Sequence, residues 1–125
     1  MNVGDKMFPV IENMLDWTAK RQQTISANLT NIDTPGYKAK DVSFSEHMQS
    51  VALQTTSPSH LEPLPQNNMR IYEVGTDAKE NGNSVDLDRE MSELTKNGLQ
   101  YVALVQFLNQ KIRTLRSAIN DGGKA

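Results

Sequence analysis

The stretch LDREMSELTKNGLQYVALVQFLNQKIRTLRSAI, residues 87–119, decides the fold. Read in alternating steps of four and three residues, it places an apolar or aromatic side chain at nine of ten positions. The ten positions are Leu87, Met91, Leu94, Gly98, Tyr101, Val105, Leu108, Ile112, Leu115 and Ile119. A pattern sustained over four heptads predicts a helix that packs as in a coiled coil. A helix of about 34 residues is about 50 Å long and needs a partner along that length.

The N-terminal part of the chain supplies this partner. Residues 9–32 predict an amphipathic helix, with Pro9 tolerated in its first turn because the missing N–H would be unsatisfied there. Its apolar face is interrupted in the middle by Thr18 and by Arg21 or Gln22. We predict an all-α fold in which the long N- and C-terminal helices form a coiled-coil-like pair. The predicted packing seam consists of Val10, Met14, Ile25 and Leu29 on the first helix and Leu94, Tyr101, Val105, Leu108, Ile112 and Leu115 on the last.

We predict a single domain, residues 1–125. Its middle part is expected to have less regular structure than the two ends. A turn is expected over residues 33–42 and a short helix over 44–54, where Ser43 and Glu46 have capping-box spacing. Residues 55–83 predict a loop with possible short strands, one of them within 68–74, pairing with Thr76–Lys79. The last helix is expected over about 86–120, capped by Ser84 or Asp86. Its acidic start and its basic residues Lys111, Arg113 and Arg116 suit the helix dipole.

Composition excludes several classes of function. The net charge of −2 gives no reason to expect nucleic acid as a partner. The chain has no cysteine, no transmembrane-length apolar run and no cleavable secretory signal. We find no catalytic constellation, no metal-ligand set and no cofactor motif, so we predict neither an enzyme nor a small-molecule binder.

One segment carries a specific signature. Residues 26–38 read SANLTNIDTPGYK, and Thr34-Pro35-Gly36-Tyr37 predicts a type II turn with Gly36 at the position that requires positive φ. The segment resembles the N-terminal signature of the bacterial flagellar rod and hook proteins. The matching positions are Ala27, Asn28, Asn31, Thr34, Pro35, Gly36 and Tyr37. A second match, Gly82–Met91, resembles the proximal-rod branch of that family, and the middle of the chain matches neither.

The resemblance implies a structural subunit of the basal-body rod in the periplasm, needed for flagellum assembly and motility. Such proteins are exported by the flagellar type III system without a cleaved signal and assemble through their terminal helices. The implied partners are further rod subunits (copies of this chain and FlgC-like subunits), the rod-base adaptor FliE, the inner-membrane ring and the export gate. Helical periodicity alone fits an alternative equally well, a soluble adaptor or chaperone with a closed helical hairpin, which would be compact and monodisperse in solution.

Overall fold

The computed structural model describes residues 3–44 and 69–123. Two long helices dominate them, as predicted: α1 spans Val3–Thr30 and α2 spans Leu87–Gly122. Helix α1 begins six residues earlier than the sequence predicts, so Pro9 lies in its second turn. Proline has no N–H to donate to the carbonyl of residue 5, so this helix hydrogen bond is missing, and the predicted place of Pro9 in the first turn is wrong. In the described part of the chain, no helix is long and apolar enough to cross a membrane.

Helix α2 is capped by Asp86. The Asp86 carboxylate accepts hydrogen bonds from the N–H groups of Asp88 and Arg89, at 3.0 and 3.4 Å. At the other end, the helix continues to Gly122 and its last turn contains no basic residue. The helix dipole acts within the last turn. The predicted dipole role of Lys111, Arg113 and Arg116 is therefore wrong.

The chain also forms a small antiparallel sheet. Strand β1, Lys40–Ser43, pairs with strand β2, Arg70–Glu73, with Lys40 opposite Glu73 and Ser43 opposite Arg70. The strand predicted within residues 68–74 is present, but its predicted pairing with Thr76–Lys79 is wrong. That segment is held elsewhere, because the Thr76 hydroxyl donates to the Ser84 carbonyl at 2.7 Å.

Two other predictions for the middle of the chain concern residues that form this sheet. The segment expected to be a turn, residues 33–42, contains most of β1. Ser43, the predicted cap of the short helix over 44–54, is the last residue of that strand. Phe44 has no regular structure, and the remainder of that predicted helix lies outside the described residues.

The two helices pack antiparallel, and their contact is polar in the middle. Asn97 on α2 is 1% exposed, and its Nδ2 donates to the Thr18 carbonyl at 2.9 Å and to Gln22 Oε1 at 3.0 Å. The other buried residue of α2 is Glu90. Both lie one position before members of the predicted heptad line, Met91 and Gly98. Helix α2 is therefore rotated relative to the prediction, and its apolar line flanks the contact with α1. The coiled-coil pairing remains a prediction.

The core is small, as the low apolar content predicts. Among the described residues, the buried apolar side chains are Ile11, Ile25, Ala39, Val42 and Val85. Buried polar side chains outnumber them and comprise Thr18, Thr24, Asn28, Asp41, Asn83, Ser84, Glu90 and Asn97. Buried polar groups need partners, since each unpaired one costs about 1–3 kcal/mol. The hydrogen bonds of these groups therefore decide how the elements are joined.

Candidate assembly site

The signature segment forms a tight turn directly after α1. The Tyr37 N–H donates to the Thr34 carbonyl at 3.3 Å, and Gly36 has φ 75°, which confirms the predicted type II turn. The Gly36 N–H donates to the Asn81 carbonyl at 3.0 Å. Gly82, with φ 82°, lies so close that a Cβ on it would be 3.4 Å from the Gly36 Cα. The turn is therefore pressed against the segment that leads into α2.

Asn28, the buried asparagine of the signature, joins α1 to β1. Its Nδ2 donates to the Lys40 carbonyl at 2.8 Å, and its Oδ1 accepts from the Lys40 N–H at 3.0 Å and from the Tyr37 hydroxyl at 3.1 Å. The side chain is fully buried. An amide carries a donor and an acceptor on two neighbouring atoms, so it can bond both the N–H and the carbonyl of one backbone residue. This explains physically why the position needs asparagine.

Asn83, just before α2, also uses its buried side chain to bind backbone groups. Its Nδ2 donates to the carbonyls of Asn31 and Thr34, at 2.7 and 2.8 Å, and its Oδ1 accepts from the Val85 N–H at 2.8 Å. Beside it, the Ser84 hydroxyl accepts from the Ala39 N–H at 2.8 Å. We call this set of contacts the signature joint: Asn28, Asn31, residues 34–37 and residues 81–84. It fixes the end of α1 to the start of α2.

The predicted signature residues differ in their roles within the joint. Asn28 is buried, Asn31 and Tyr37 are half-buried, and Ala27, Thr34, Pro35 and Gly36 are exposed. Sequence reasoning missed Asn83 and Ser84, which are buried and complete the joint. The turn-forming residues Asn81-Gly82-Asn83 were the available signal in the sequence. Such residues predict a local turn, but they do not predict contacts with residues about 50 positions away along the chain.

A cluster of charged side chains lies between the joint and the polar middle of the helix pair. The Arg21 guanidinium binds Asp41 through two hydrogen bonds, at 3.0 and 3.3 Å, and also binds Glu93. Burial lowers the pKa of Arg21, but the bonds and charges of both carboxylates outweigh it and raise the pKa above its ordinary value. The cluster thus ties α1 to both β1 and α2.

Glu90 is the unusual member of this region. It is 3% exposed, and burial raises the pKa of its carboxyl above the ordinary value, an effect to which the charges of Asp41 and Glu93 add. A hydrogen bond with Asn28 and the charge of Arg89 act in the opposite direction. Burial and the charge of Glu90 also raise the pKa of Tyr37. Ionisation of Glu90 is therefore unfavourable next to the joint.

Helix α2 carries a row of apolar side chains that remain largely exposed in the single chain. We call it the α2 stripe: Leu87, Met91, Tyr101, Val102, Ile112, Leu115 and Ile119. Each is between 37% and 73% exposed. At 100° per residue they span about 140° of the helix surface, in the same sector as the half-buried Leu94, Val105 and Leu108, whereas the exposed Leu99 and Phe107 lie outside it. Contiguous exposed apolar surface of this kind is typical of a protein–protein contact.

The predicted seam residues divide between the two faces. Ile25 is buried, and Val10, Met14, Leu29, Leu94, Val105 and Leu108 are half-buried. Tyr101, Ile112 and Leu115 belong to the stripe and are 50%, 37% and 44% exposed. Within a single chain these three side chains therefore keep a large exposed fraction. Their role as contacts between subunits remains a prediction.

A shallow pocket of about 250 Å³ lies between the two helices. It is lined by Phe8, Ile11, Glu12 and Leu15 from α1 and by Leu108 from α2. Since the helices are antiparallel, each further residue of α2 lies beside an earlier residue of α1. All residues from 112 to 123 are exposed.

Two comparisons with known proteins indicate the same family. A sequence model of the family described as flagella basal body rod protein matches residues 15–38, the last part of α1 and the signature turn. Along nearly its whole length the chain is similar to proteins named flagellar basal body rod protein FlgB. It is 35% identical to that of Aeromonas hydrophila, over 92% of this chain and 93% of the relative. It is 38% identical to that of Bacillus subtilis, over 90% and 92%, and 30% identical to that of Escherichia coli, over 89% and 91%.

Proposed function

Since the chain belongs to the FlgB family of flagellar basal body rod proteins, we propose that it is a proximal-rod subunit that assembles through its two terminal helices. The family is one of structural rod proteins and not of enzymes. Its members are components of the basal body rod, and they assemble with other rod components. The proposal goes further in naming the α2 stripe and the helix seams as the surfaces through which this subunit joins its neighbours.

The observation that carries the proposal is the α2 stripe. Leu87, Met91 and Ile119 are 52%, 49% and 73% exposed, although few apolar side chains are buried in ranges 3–44 and 69–123. Fully burying a Leu, Ile or Met side chain contributes about 1.5–3 kcal/mol. Contacts repeated along an assembly would thus supply stabilisation that the single chain lacks.

The signature joint also supports the proposal. A subunit that assembles through two helices must hold them in a fixed relation. The joint does this with hydrogen bonds from the buried side chains of Asn28 and Asn83. We propose that the family signature serves this positioning role, and that the seam residues Val10, Met14, Ile25 and Leu29 on α1 act with Leu94, Val105 and Leu108 on α2. Tyr101, Ile112 and Leu115 then face neighbouring subunits.

The partners and the route remain part of the proposal. We propose contacts with further copies of the chain, with a FlgC-like subunit and with the rod-base adaptor FliE, beside the inner-membrane ring and the export gate. Export is proposed to proceed through the flagellar type III system without a cleaved signal. The small core suits this route, because a chain of modest stability unfolds readily before passage.

The test is a charge placed on the stripe. Ile112→Asp puts a carboxylate where a neighbour would bury an apolar side chain, so the purified variant should fold like wild type but fail to restore motility to a strain lacking the chain. Ser117→Asp is the matched control, because Ser117 lies on the same exposed part of α2 but on the opposite side. Full motility with Ile112→Asp would show that the stripe is not an assembly surface.

A further inference from the structure

The chain contains two asparagines that are followed by glycine, Asn81 before Gly82 and Asn97 before Gly98. Such a pair deamidates readily in a flexible chain, because glycine has no side chain to hinder attack by its own backbone nitrogen and leaves the backbone free to rotate. Asn81 belongs to the signature joint, and Asn97 forms the polar contact between α1 and α2. The chemical stability of these two side chains therefore bears on how the helices are held together.

Three hydrogen bonds hold the first pair within the joint. The Gly82 N–H donates to the Lys79 carbonyl at 2.8 Å, and the Asn81 carbonyl accepts from the Gly36 N–H at 3.0 Å. Asn81 Oδ1 accepts from the Asn83 N–H at 3.1 Å. Deamidation requires the Gly82 nitrogen to lose its proton and to reach the Asn81 Cγ by rotation of the backbone between them. The joint opposes both events, although Asn81 itself is exposed.

The second pair is held in a different way. Asn97 is 1% exposed, and its Nδ2 donates to the Thr18 carbonyl at 2.9 Å and to Gln22 Oε1 at 3.0 Å. Gly98 lies inside α2, where the backbone keeps helical dihedral angles. The rotation that brings the attacking nitrogen to the side-chain amide breaks the helix at that point. Asn97 is therefore a comparison site in the same chain, protected by a helix and not by the joint.

We propose that Asn81 is a deamidation site of the unfolded chain and that the signature joint suppresses the reaction in the folded protein. In the first step the Gly82 nitrogen bonds to the Asn81 Cγ, the Cγ–Nδ2 bond breaks, and ammonia leaves with the proton of the Gly82 N–H, so that a succinimide ring forms. Water then opens the ring at one of its two carbonyls. One opening gives aspartate, and the other gives isoaspartate, in which the main chain is longer by one carbon. The inference does not depend on the proposed rod function.

The two products differ in their effect on the joint. Aspartate keeps an oxygen that accepts from the Asn83 N–H, and its charge is solvated because position 81 is exposed. Isoaspartate lengthens the main chain between the carbonyl that binds the Gly36 N–H and the buried side chain of Asn83. The Asn83 amide then no longer meets the two backbone carbonyls that it binds after α1, at 2.7 and 2.8 Å. Isoaspartate at position 81 therefore prevents the joint from forming, whereas aspartate does not.

Peptide mapping by mass spectrometry tests the protection. The purified full-length chain is incubated at mildly alkaline pH, folded in buffer or unfolded in guanidinium chloride. We expect Asn81 and Asn97 to deamidate at comparable rates in the unfolded chain, and Asn81 to deamidate at least about tenfold more slowly in the folded protein. Asn28→Ala, which weakens the joint, should deamidate faster at Asn81 than wild type, whereas Asn31→Ala should match wild type. Equal rates at Asn81 in the folded and unfolded wild type would overturn the proposal, as would a folded Asn28→Ala protein as slow as wild type.

Refolding tests the consequence for the joint. Wild-type chain aged in guanidinium chloride is refolded, and the native fraction is separated by size-exclusion chromatography. Peptides with isoaspartate at position 81 should be depleted from the native fraction, and Asn81→Asp should refold as completely as fresh wild type. Isoaspartate at position 81 that is as abundant in the native fraction as in the aged chain would overturn the claim that it prevents the joint from forming.

Discussion

Replacing Asn28 with alanine should destabilise the chain by about 3 kcal/mol. The change removes the hydrogen bonds to the Lys40 carbonyl, the Lys40 N–H and the Tyr37 hydroxyl, and also the one with the buried Glu90 carboxyl, which adds to the loss. Each bond contributes about 1 kcal/mol net, and a buried group that loses its partner costs more. A loss of this size is a large part of the stability of a small domain, about 5–15 kcal/mol.

The matched control is another asparagine of the same signature. Asn31 donates through Nδ2 to the Ala27 carbonyl at 2.8 Å, but this bond is exposed to solvent. Water can replace it, so Asn31→Ala should cost less than about 1 kcal/mol. Urea unfolding of the purified full-length variants, followed by circular dichroism, measures both values. Equal, small losses for the two variants would refute the reasoning that burial in the signature joint sets the importance of Asn28.

Three further changes are informative, two of them at or near the joint. The raised pKa of Glu90 means that its ionisation disfavours folding, so the wild type should lose stability relative to Glu90→Gln as pH rises above the ordinary carboxyl pKa of 4.5. Denaturant titrations of both proteins at a series of pH values check this; a difference that is independent of pH would contradict it. Gly82→Ala should cost about 1–2 kcal/mol, because Gly82 has φ 82°, a backbone conformation that side chains with a Cβ rarely adopt. Gly98→Ala on the exposed face of α2, where a Cβ meets nothing within 4 Å, should instead stabilise by about 0.5–1 kcal/mol. Thermal unfolding separates these outcomes, and a destabilising Gly98→Ala would indicate a contact at that face.

Helix periodicity predicted the two long helices because the pattern is local and repeated. It could not predict which face of α2 meets α1. The contact is set by single polar side chains, Asn97 and Glu90, which a search for apolar residues passes over. The apolar heptad line was read as one seam, and the structure leaves Tyr101, Ile112 and Leu115 of that line exposed.

The turn at Thr34–Tyr37 was predictable because proline and glycine restrict the backbone in ways that do not depend on the remainder of the fold. The strand that pairs with β2 was not predictable. A strand of four residues pairs with whichever segment tertiary contacts bring to it, and here Asn28 and Trp17 hold β1 in place through the Lys40 backbone and the Val42 carbonyl. Contacts between residues far apart in sequence, such as Asn83 with Asn31, decided what local patterns left open.

Electron microscopy of basal bodies from a strain lacking this chain tests the central claim most directly. If the chain is a proximal-rod subunit, the deletion should leave inner-membrane rings without a rod, and the wild-type chain and Ser117→Asp should restore rods where Ile112→Asp does not. Rods and hooks that form normally without the chain would contradict the account.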